Sequence, residues 1–581
     1  MIVQGLQEIQ KRCGYISPEE MRTLAEKLEV PLHRVHEVAT FYPLYRLSPP
    51  KGASIRICRD MACHTHGAEN LIASVQALAD ELGKDQLDVC GVSCLGQCDR
   101  TVAAIVNDHH VICGQNTKSI VDIARKAAAN EPFHGMEMEN SPLPFKINIY
   151  GNGETYGALK KYVQEGQPAD ELLKRLEISN LRGMGGAGFP TFKKWSAVRS
   201  TPSKTKYVIC NADESEPGTF KDREILRRAP WLVIEGMILA AFVSGAEKGY
   251  LYIRHEYIEE LHQLEKELAK AQKANLVGKN ILGTGKDFHL EIYVSPGGYV
   301  QGEETALMEA IEDRRGEPRN KPPFSVFQGL FGKPTVINNV ETLAWTPGIF
   351  TQGGEWYRDM GIRGARGMRL VSISGDVVKP GVYEVPFGQT VKELIFETAG
   401  GLEPGRSLKA IATSGPSGGF LPAQIPVEML PQKFVQQKAP SGEAFFDVLT
   451  LALDLDTLAL MGGMLGAAFI VYDDRRDMVD NALNCVSFYR NESCGKCVPC
   501  RTGSQKLVDM ITDLMHGKSS RKELELISDL GETMGLTSIC GLGQVASNPI
   551  TSVIKFFPKD VSKHLEGTSA NDSRVSREKL S

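Results

Sequence analysis

The sequence predicts a multidomain α/β protein that closes in a helical domain. Three observations carry this. At 581 residues the chain is too long for one core, and about 150 residues per domain suggests roughly four domains. Strand-like runs alternate with helical patterns twice, within residues 49–130 and within 146–365. Two sets of cysteines then fall at spacings suited to metal centres, one in the first of these regions and one near residue 500.

Taken in order, residues 1–48 read as short amphipathic helices. Apolar residues recur at helical gaps through Met21, Leu24, Leu28 and Val30, and Ser17-Pro-Glu-Glu is a helix start with proline at the first helical position. Pro49-Pro50-Lys-Gly52 breaks the chain, and Ile55-Arg-Ile57 reads as a strand that delivers Cys58. A helix is expected over 71–82 and two short strands over 101–113, around Asn107-Asp108. Residues 131–145, with prolines at 132, 142 and 144, read as a linker.

In the second α/β domain, 146–365, strands are expected at 206–209, 249–253 and 289–294, with helices at 227–243 and 303–311. Residues 366–450 are rich in β-branched residues and turns, which predicts a small β-dominated domain. Helical patterning follows over 451–566, with candidates at 477–489, 503–516 and 520–533. The polar end, 567–581, is expected to be disordered.

Composition excludes several classes. Hydrophobic content of 42%, charged content of 24% and a net charge of −5 describe an ordinary globular protein. Nothing in that balance points to nucleic acid or to an anionic membrane surface. The uncharged stretch 457–472 is glycine-interrupted and shorter than the roughly 20 residues that span a bilayer, so it reads as buried core, and no membrane insertion is expected. Met1-Ile-Val-Gln-Gly-Leu-Gln-Glu has no basic segment followed by an apolar run. Thirteen cysteines without an export signal fit a reducing compartment, so the cytoplasm is expected.

The cysteine pattern is the strongest chemical signal. Cys494-Gly-Lys-Cys497-Val-Pro-Cys500 brings three thiolates round one turn, and Cys540 can supply a fourth. That spacing suits a [4Fe–4S] cluster. A zinc knot also takes four thiolates, although structural zinc sites usually pair two C-x2-C elements. Cys58, Cys63, Cys94 and Cys98 form two short pairs about thirty residues apart, which suits a [2Fe–2S] centre with one pair on each iron; zinc is again the alternative. Cys90, His64 and His66 are rival ligands there by position. Cys13, Cys113, Cys210 and Cys485 have no spaced partners and read as small core residues.

Two further segments stand out. Gly183-Met-Gly185-Gly186-Ala-Gly188-Phe189-Pro matches G-x-G-x-x-G, in which bare backbone approaches a phosphate or a ring, but no strand precedes it as in an ordinary dinucleotide-binding unit. Lys194 follows within reach of a phosphate, and Phe189 could stack on an aromatic ring or pack in the core. Asn211-Ala-Asp213-Glu214-Ser-Glu216-Pro-Gly218 comes directly after an apolar strand, where α/β sheets bind ligands; a solvated acidic loop is the plainer alternative. Downstream, Gly297 to Thr305, Lys321-Pro-Pro-Phe324 and Thr335 to Thr342 mix glycines, acids, amides and aromatics at element boundaries.

With GGAGFPT, NADESEPGTFKDR, GEETAL, KPPF, INNVETL and ESCGKCVPCRTG in view, residues from about 150 to 566 resemble the NADH-oxidising, FMN-binding subunit of respiratory complex I and its soluble relatives. Residues 1–130 resemble the neighbouring thioredoxin-like [2Fe–2S] subunit, here joined in front. The resemblance implies an atypical Rossmann-like domain for FMN and NAD(H), a β-grasp domain of SLBB type, and a helical bundle carrying [4Fe–4S]. By position it implies FMN contacts from Gly183, Gly185, Lys194, Asn211, Asp213, Tyr299, Gly302, Glu303, Asn338 and Asn339. The nucleotide would be held by Gly186, Phe189, Glu214, Glu216, Glu304, Lys321 and Phe324. Met184 and Phe192 depart from the family's usual arginine and glycine, and Phe192 is expected to reshape the nucleotide entrance.

Within the family, fused chains of this kind serve as the diaphorase subunit of NAD-linked formate dehydrogenases or NAD-reducing hydrogenases. The segments Ser538-Ile-Cys540-Gly-Leu-Gly-Gln-Val-Ala-Ser-Asn-Pro and Lys321-Pro-Pro-Phe-Ser-Val-Phe-Gln328 look more like the formate dehydrogenase β subunits. That resemblance implies a hetero-oligomer with a molybdenum or tungsten subunit bearing further iron–sulfur clusters. The reaction expected is hydride transfer between NAD(H) and FMN, then one-electron steps through [4Fe–4S], with no side-chain acid, base or nucleophile and with Glu216 orienting the nicotinamide. A non-catalytic iron–sulfur relay or zinc scaffold is the alternative from a different class.

Overall fold

The protein is described from a computed structural model covering residues 1–83, 85–135, 141, 143–439 and 442–565. The tail expected over 567–581, and residues 136–140 and 142 of the expected linker, lie outside the described residues.

Three helices open the chain, Ile2–Cys13, Pro18–Lys27 and Leu32–Phe41, and the Ser17 hydroxyl caps the second by accepting from the Glu20 N–H. A small mixed sheet follows: β1 (Ala53–Cys58), β2 (Leu87–Val92), β3 (Ala104–Val106) and β4 (His110–Ile112), in the order β2-β1-β3-β4. Its β1–β2 pair is parallel and the others antiparallel. Helices Ala68–Leu82 and Thr117–Ala128 complete its core.

The second domain is built on four parallel strands: β5 (Tyr207–Ala212), β6 (Lys248–Ile253), β7 (His289–Val294) and β8 (Thr335–Asn339), ordered β7-β6-β5-β8. A wholly parallel sheet has to be covered on both faces. Because side chains alternate along a strand, Val208 and Cys210 of β5 join the large core under helices Pro230–Ser244 and Val340–Gln352, while Tyr207 and Ile209 point the other way. That second face is covered by the N-terminal helices, whose Val3, Leu6, Met21, Leu24, Val35 and Val38 pack with Tyr250, Tyr252, Tyr293 and Ile337. Residues 1–48 thus act as one wall of the second domain. The single helix expected over 227–243 is split at Ala229 (φ −149°), because Pro230 disfavours helical backbone before it and starts a new helix itself.

The β-dominated region contains β9 (Met368–Gly375), β10 (Gly381–Pro386), β11 (Leu408–Ala412), β12 (Leu421–Pro422) and a ribbon of β13 (Gln424–Pro426) with β14 (Phe445–Asp447). Its five-stranded sheet runs β10-β9-β15-β11-β12, where β15 is Ala468–Asp473. This corrects the boundary expected at 450/451. The apolar run within 457–472 supplies the central strand, parallel to β9 and buried throughout, so it shows no alternation to read. The helical bundle begins only at Met478–Glu492 and continues with Val498–Met515, Arg521–Thr537 and three shorter helices to Lys563. Among the described residues no helix is long and apolar enough to cross a membrane.

Candidate functional site

In the order β7-β6-β5-β8 the chain starts at β5, runs outward through β6 to β7, then crosses back to β8. The C-terminal ends of β5 and β8 therefore flank a topological switch point, where open α/β sheets form their ligand crevice. Asn211 and Asn339 stand opposite one another there, with Asn338 one step back beside Cys210. Asn211 donates its amide to the Gly302 carbonyl over 2.8 Å, and the Asn338 carbonyl accepts from the Trp195 indole at 2.8 Å. Asn339 caps the helix that follows it by accepting from the Glu341 N–H at 3.0 Å.

The glycine loop lies over these amides. A Cβ on Gly185 would stand 3.3 Å from that of Asn339, so the backbone approaches the crevice as closely as it can. Gly186 has φ +111° and open space beside it, a conformation that only glycine holds without strain. The Met184 N–H donates to the Thr342 hydroxyl at 2.9 Å, with its side chain buried. The loop is entered from helix Ala169–Ser179, in keeping with the lack of a preceding strand in the sequence. Phe192 packs partly buried against the main core.

The acidic segment divides into interior and crevice groups. Glu214 is only 6% exposed, and its carboxylate accepts from the Asp222 and Arg223 N–H groups and the Tyr257 hydroxyl, capping helix Lys221–Arg228. Burial, then the Asp222 carboxylate, push Glu214 up to about 8. Its side chain is thus engaged inside the protein, whereas the sequence suggested a nucleotide contact. Asp213 accepts from the Ser295 hydroxyl at 2.9 Å and from Ser215, and burial pushes it up to about 6. Glu216 accepts from the Ser417 N–H at 3.2 Å, the Ser417 hydroxyl at 2.6 Å and the Tyr299 hydroxyl.

A charged cluster closes the other side. Lys194 donates to the Ile337 carbonyl at 2.8 Å and stands 3.6 Å from Glu304. Lys321 reaches Glu303 at 2.9 Å and Glu304 at 3.0 Å, while Glu303 caps helix Glu304–Ile311. Phe189 and Phe324 are 51% and 52% exposed, so both rings have faces free for stacking.

Both sets of cysteines come together. Cys58, Cys63, Cys94 and Cys98 are all buried, with the Cys94 and Cys98 sulfurs 3.3 Å apart and Cys58 within hydrogen-bonding reach of Cys63 and Cys94. The Gly96 N–H donates to the Cys94 sulfur, a contact that suits a cluster thiolate. The rivals are elsewhere: Cys90 is exposed, His64 pairs with Asp480 at 2.9 Å, and His66 bonds the Ala62 carbonyl. Cys494, Cys497, Cys500 and Cys540 line one cavity with Val300, Pro318, Ser493, Lys496, Ile539 and Leu542, and four thiolates converging on one cavity fit [4Fe–4S]. Cys113, Cys210 and Cys485 are buried as expected, but Cys13 is half-buried beside Glu20 at 3.9 Å, outside any core.

Several groups here escaped sequence reasoning. Arg254, fully buried, donates to the Glu214 carbonyl at 2.5 Å and to the Cys94 carbonyl at 2.6 Å. Arg223 donates to the Gly96 carbonyl and to Gln97 and pairs with Asp99. These guanidinium groups place the loop of Cys94 and Cys98 against the acidic segment. Lys221 is buried between Asp222 and Glu341 beside Asn339; its only signal was its place in NADESEPGTFKDR.

A ligand crevice of amides and glycines within one turn of chain of a four-thiolate cavity defines a flavin-dependent iron–sulfur electron-transfer protein. Family models agree along the chain: a thioredoxin-like [2Fe-2S] ferredoxin over residues 1–127, the Nuo51 FMN-binding domain over 176–347, and the NADH-ubiquinone oxidoreductase-F iron-sulfur binding region over 480–564. The chain is 40% identical over 421 residues to the F 2 subunit of NADH-quinone oxidoreductase from Rhizobium meliloti (strain 1021), covering 72% of this chain and 94% of that one. It is 37% identical over 397 residues to the NADP-reducing hydrogenase subunit HndC of Solidesulfovibrio fructosivorans, covering 68% and 76%. A solved NAD+-reducing [NiFe]-hydrogenase in its H2-reduced state superposes with a TM-score of 0.83 at 30% identity, over 97% of this chain and 93% of that chain. The chain belongs to the family of NADH-quinone oxidoreductase F subunits. It is an oxidoreductase of the NADH dehydrogenase (diaphorase) type, binding FMN, NAD(H), [2Fe–2S] and [4Fe–4S].

Proposed function

We propose that this chain is the NAD(H)-reacting subunit of an NAD-linked formate dehydrogenase, exchanging electrons with a molybdenum- or tungsten-containing subunit in a hetero-oligomer in the cytoplasm. One observation carries the electron-transfer part. In the turn Tyr299–Gly302, the Gly302 carbonyl accepts from Asn211 in the crevice while Val300 lines the cavity of Cys494, Cys497, Cys500 and Cys540. A group held in the crevice and a cluster held in the cavity thus share one wall.

In this reading Gly183, Gly185, Lys194, Asn211, Asp213, Tyr299, Gly302, Glu303, Asn338 and Asn339 hold FMN. Gly186, Phe189, Glu216, Glu304, Lys321 and Phe324 receive the nucleotide, and Glu214 acts by shaping its loop. FMN, when bound, supplies the exchange between a two-electron hydride and single electrons. The residues contribute position: the glycines admit the ring and phosphate closely, Lys194 supplies positive charge, the phenylalanines stack, and Glu216 orients the nicotinamide.

The formate assignment rests on the likeness of 538–549 and 321–328 to formate dehydrogenase β subunits. A second reading, the corresponding subunit of an NAD-reducing hydrogenase, is favoured by the full-length superposition on the solved [NiFe]-hydrogenase. Elemental analysis of the native complex separates them. Molybdenum or tungsten is expected; nickel would replace the formate reading with the hydrogenase one.

A further inference from the structure

Three domains converge on the Glu216 carboxylate. Tyr299, from the flavin domain, donates its hydroxyl to Oε2. Ser417, from the loop between β11 and β12, donates its N–H at 3.2 Å and its hydroxyl at 2.6 Å to Oε1. Tyr489, from helix Met478–Glu492 of the cluster bundle, is fully buried with its hydroxyl 2.9 Å from the Ser417 hydroxyl.

The direction of these bonds follows from proton count. A carboxylate only accepts, and a serine hydroxyl carries one proton. Ser417 spends that proton on Glu216, so Tyr489 must donate to Ser417. The chain of donation runs Tyr489 to Ser417 to Glu216, and each bond polarises the next. The loop is built to make this approach: a Cβ on Gly415, which has φ +55°, would lie 2.6 Å from the Pro217 carbonyl and 3.1 Å from Glu216. Asn548 of the bundle holds the loop's far side by donating to the Ser417 carbonyl at 2.7 Å.

We propose that Ser417 and Tyr489 are positioning residues for the nicotinamide end of the bound nucleotide, acting through Glu216, so that the β-grasp domain and the cluster bundle complete a site that the flavin domain alone leaves unfinished. This rests on the reading of Glu216 as the residue that orients the nicotinamide. Without the Ser417 hydroxyl the carboxylate keeps its bond to Tyr299 and the longer one from the backbone N–H of residue 417, but loses the shorter donor that aims its other oxygen.

The test uses the native complex, NADH as substrate with ferricyanide as acceptor, and ADP-ribose as a competitive inhibitor lacking the nicotinamide ring. Ser417→Ala should raise the KM for NADH about tenfold, the loss of one hydrogen bond to a charged group, and leave the inhibition constant of ADP-ribose unchanged. Tyr489→Phe should raise it a few-fold alone and add nothing in the Ser417→Ala background, because both act on one oxygen. FMN content and the cluster signals in electron paramagnetic resonance should match the parent enzyme. An unchanged KM in Ser417→Ala overturns the proposal, and so does an equal loss of NADH and ADP-ribose affinity, which would mark general distortion. Glu216→Gln separates the two readings: if it too leaves NADH affinity unchanged, the assignment of Glu216 fails; if it weakens NADH while Ser417→Ala does not, only the positioning inference fails.

Discussion

The Tyr299 hydroxyl donates to the Glu216 carboxylate, while the next residue, Val300, lines the cavity of the four C-terminal cysteines. The acid proposed to face the nucleotide and the pocket of the four cysteines are therefore joined through two consecutive residues. Glu216→Gln should weaken NADH binding about tenfold, as expected for a lost charged hydrogen bond, and leave FMN bound at one per chain. Steady-state kinetics with a flavin assay on the same sample checks both.

The cluster ligands make a paired prediction. Cys540→Ser should remove the [4Fe–4S] signal and leave [2Fe–2S] and FMN in place, since the two cysteine sets are held by separate cores. Cys90→Ser should leave both signals intact, because its thiol is exposed and donates to the neighbouring Gly91 carbonyl. Iron content and paramagnetic resonance of the reduced variants test this; loss of [2Fe–2S] in Cys90→Ser would contradict the ligand set.

Arg254 links the two halves of the molecule. Against burial, which pushes it up, Arg254 holds Glu256 down to about 2. Arg254→Met leaves that carboxylate and two carbonyls without their donor, and should cost about 3 kcal/mol. The thermal midpoint should fall and [2Fe–2S] occupancy with it, because the Cys94 carbonyl is one of the two acceptors. An unchanged midpoint with full occupancy would show the contact to be dispensable.

Stability should also depend on pH through Glu235, which is held by the Tyr150 hydroxyl and the Leu159 N–H. Burial pushes this carboxyl from 4.5 up to about 7. Its folded value is raised, so its contribution is fully present below about 4.5 and is lost as pH rises through 7, by ~3 kcal/mol. Thermal melts between pH 5 and pH 8 should show this fall, flattened in Glu235→Gln. Parallel slopes in the two proteins would contradict it.

Much of the site was legible because its signals are local. Cys494, Cys497 and Cys500 share one turn, so their spacing alone pointed to a cluster, whereas Asn338 and Asn339 were singled out through the resemblance carried by INNVETL. What stayed hidden depends on distance in sequence. Ser417 lies 201 residues from Glu216, and Arg254 lies 160 from Cys94, and no period or motif connects either pair. Glu214 looked like a ligand because acids at a strand end usually face the crevice; the helix that it caps is what turns it inward. β15 was hidden for a different reason, since a strand buried on both faces loses its alternation.

The most direct measurement of the central claim is an anaerobic titration of the purified complex with NADH, following flavin absorbance and the reduced-cluster resonance together. The purified protein should be yellow-brown and carry one FMN and on the order of six iron atoms per chain. Flavin bleaching by NADH should be followed by appearance of the [4Fe–4S] signal. A colourless protein with zinc and no flavin, or a flavin that bleaches without any cluster being reduced, would contradict it.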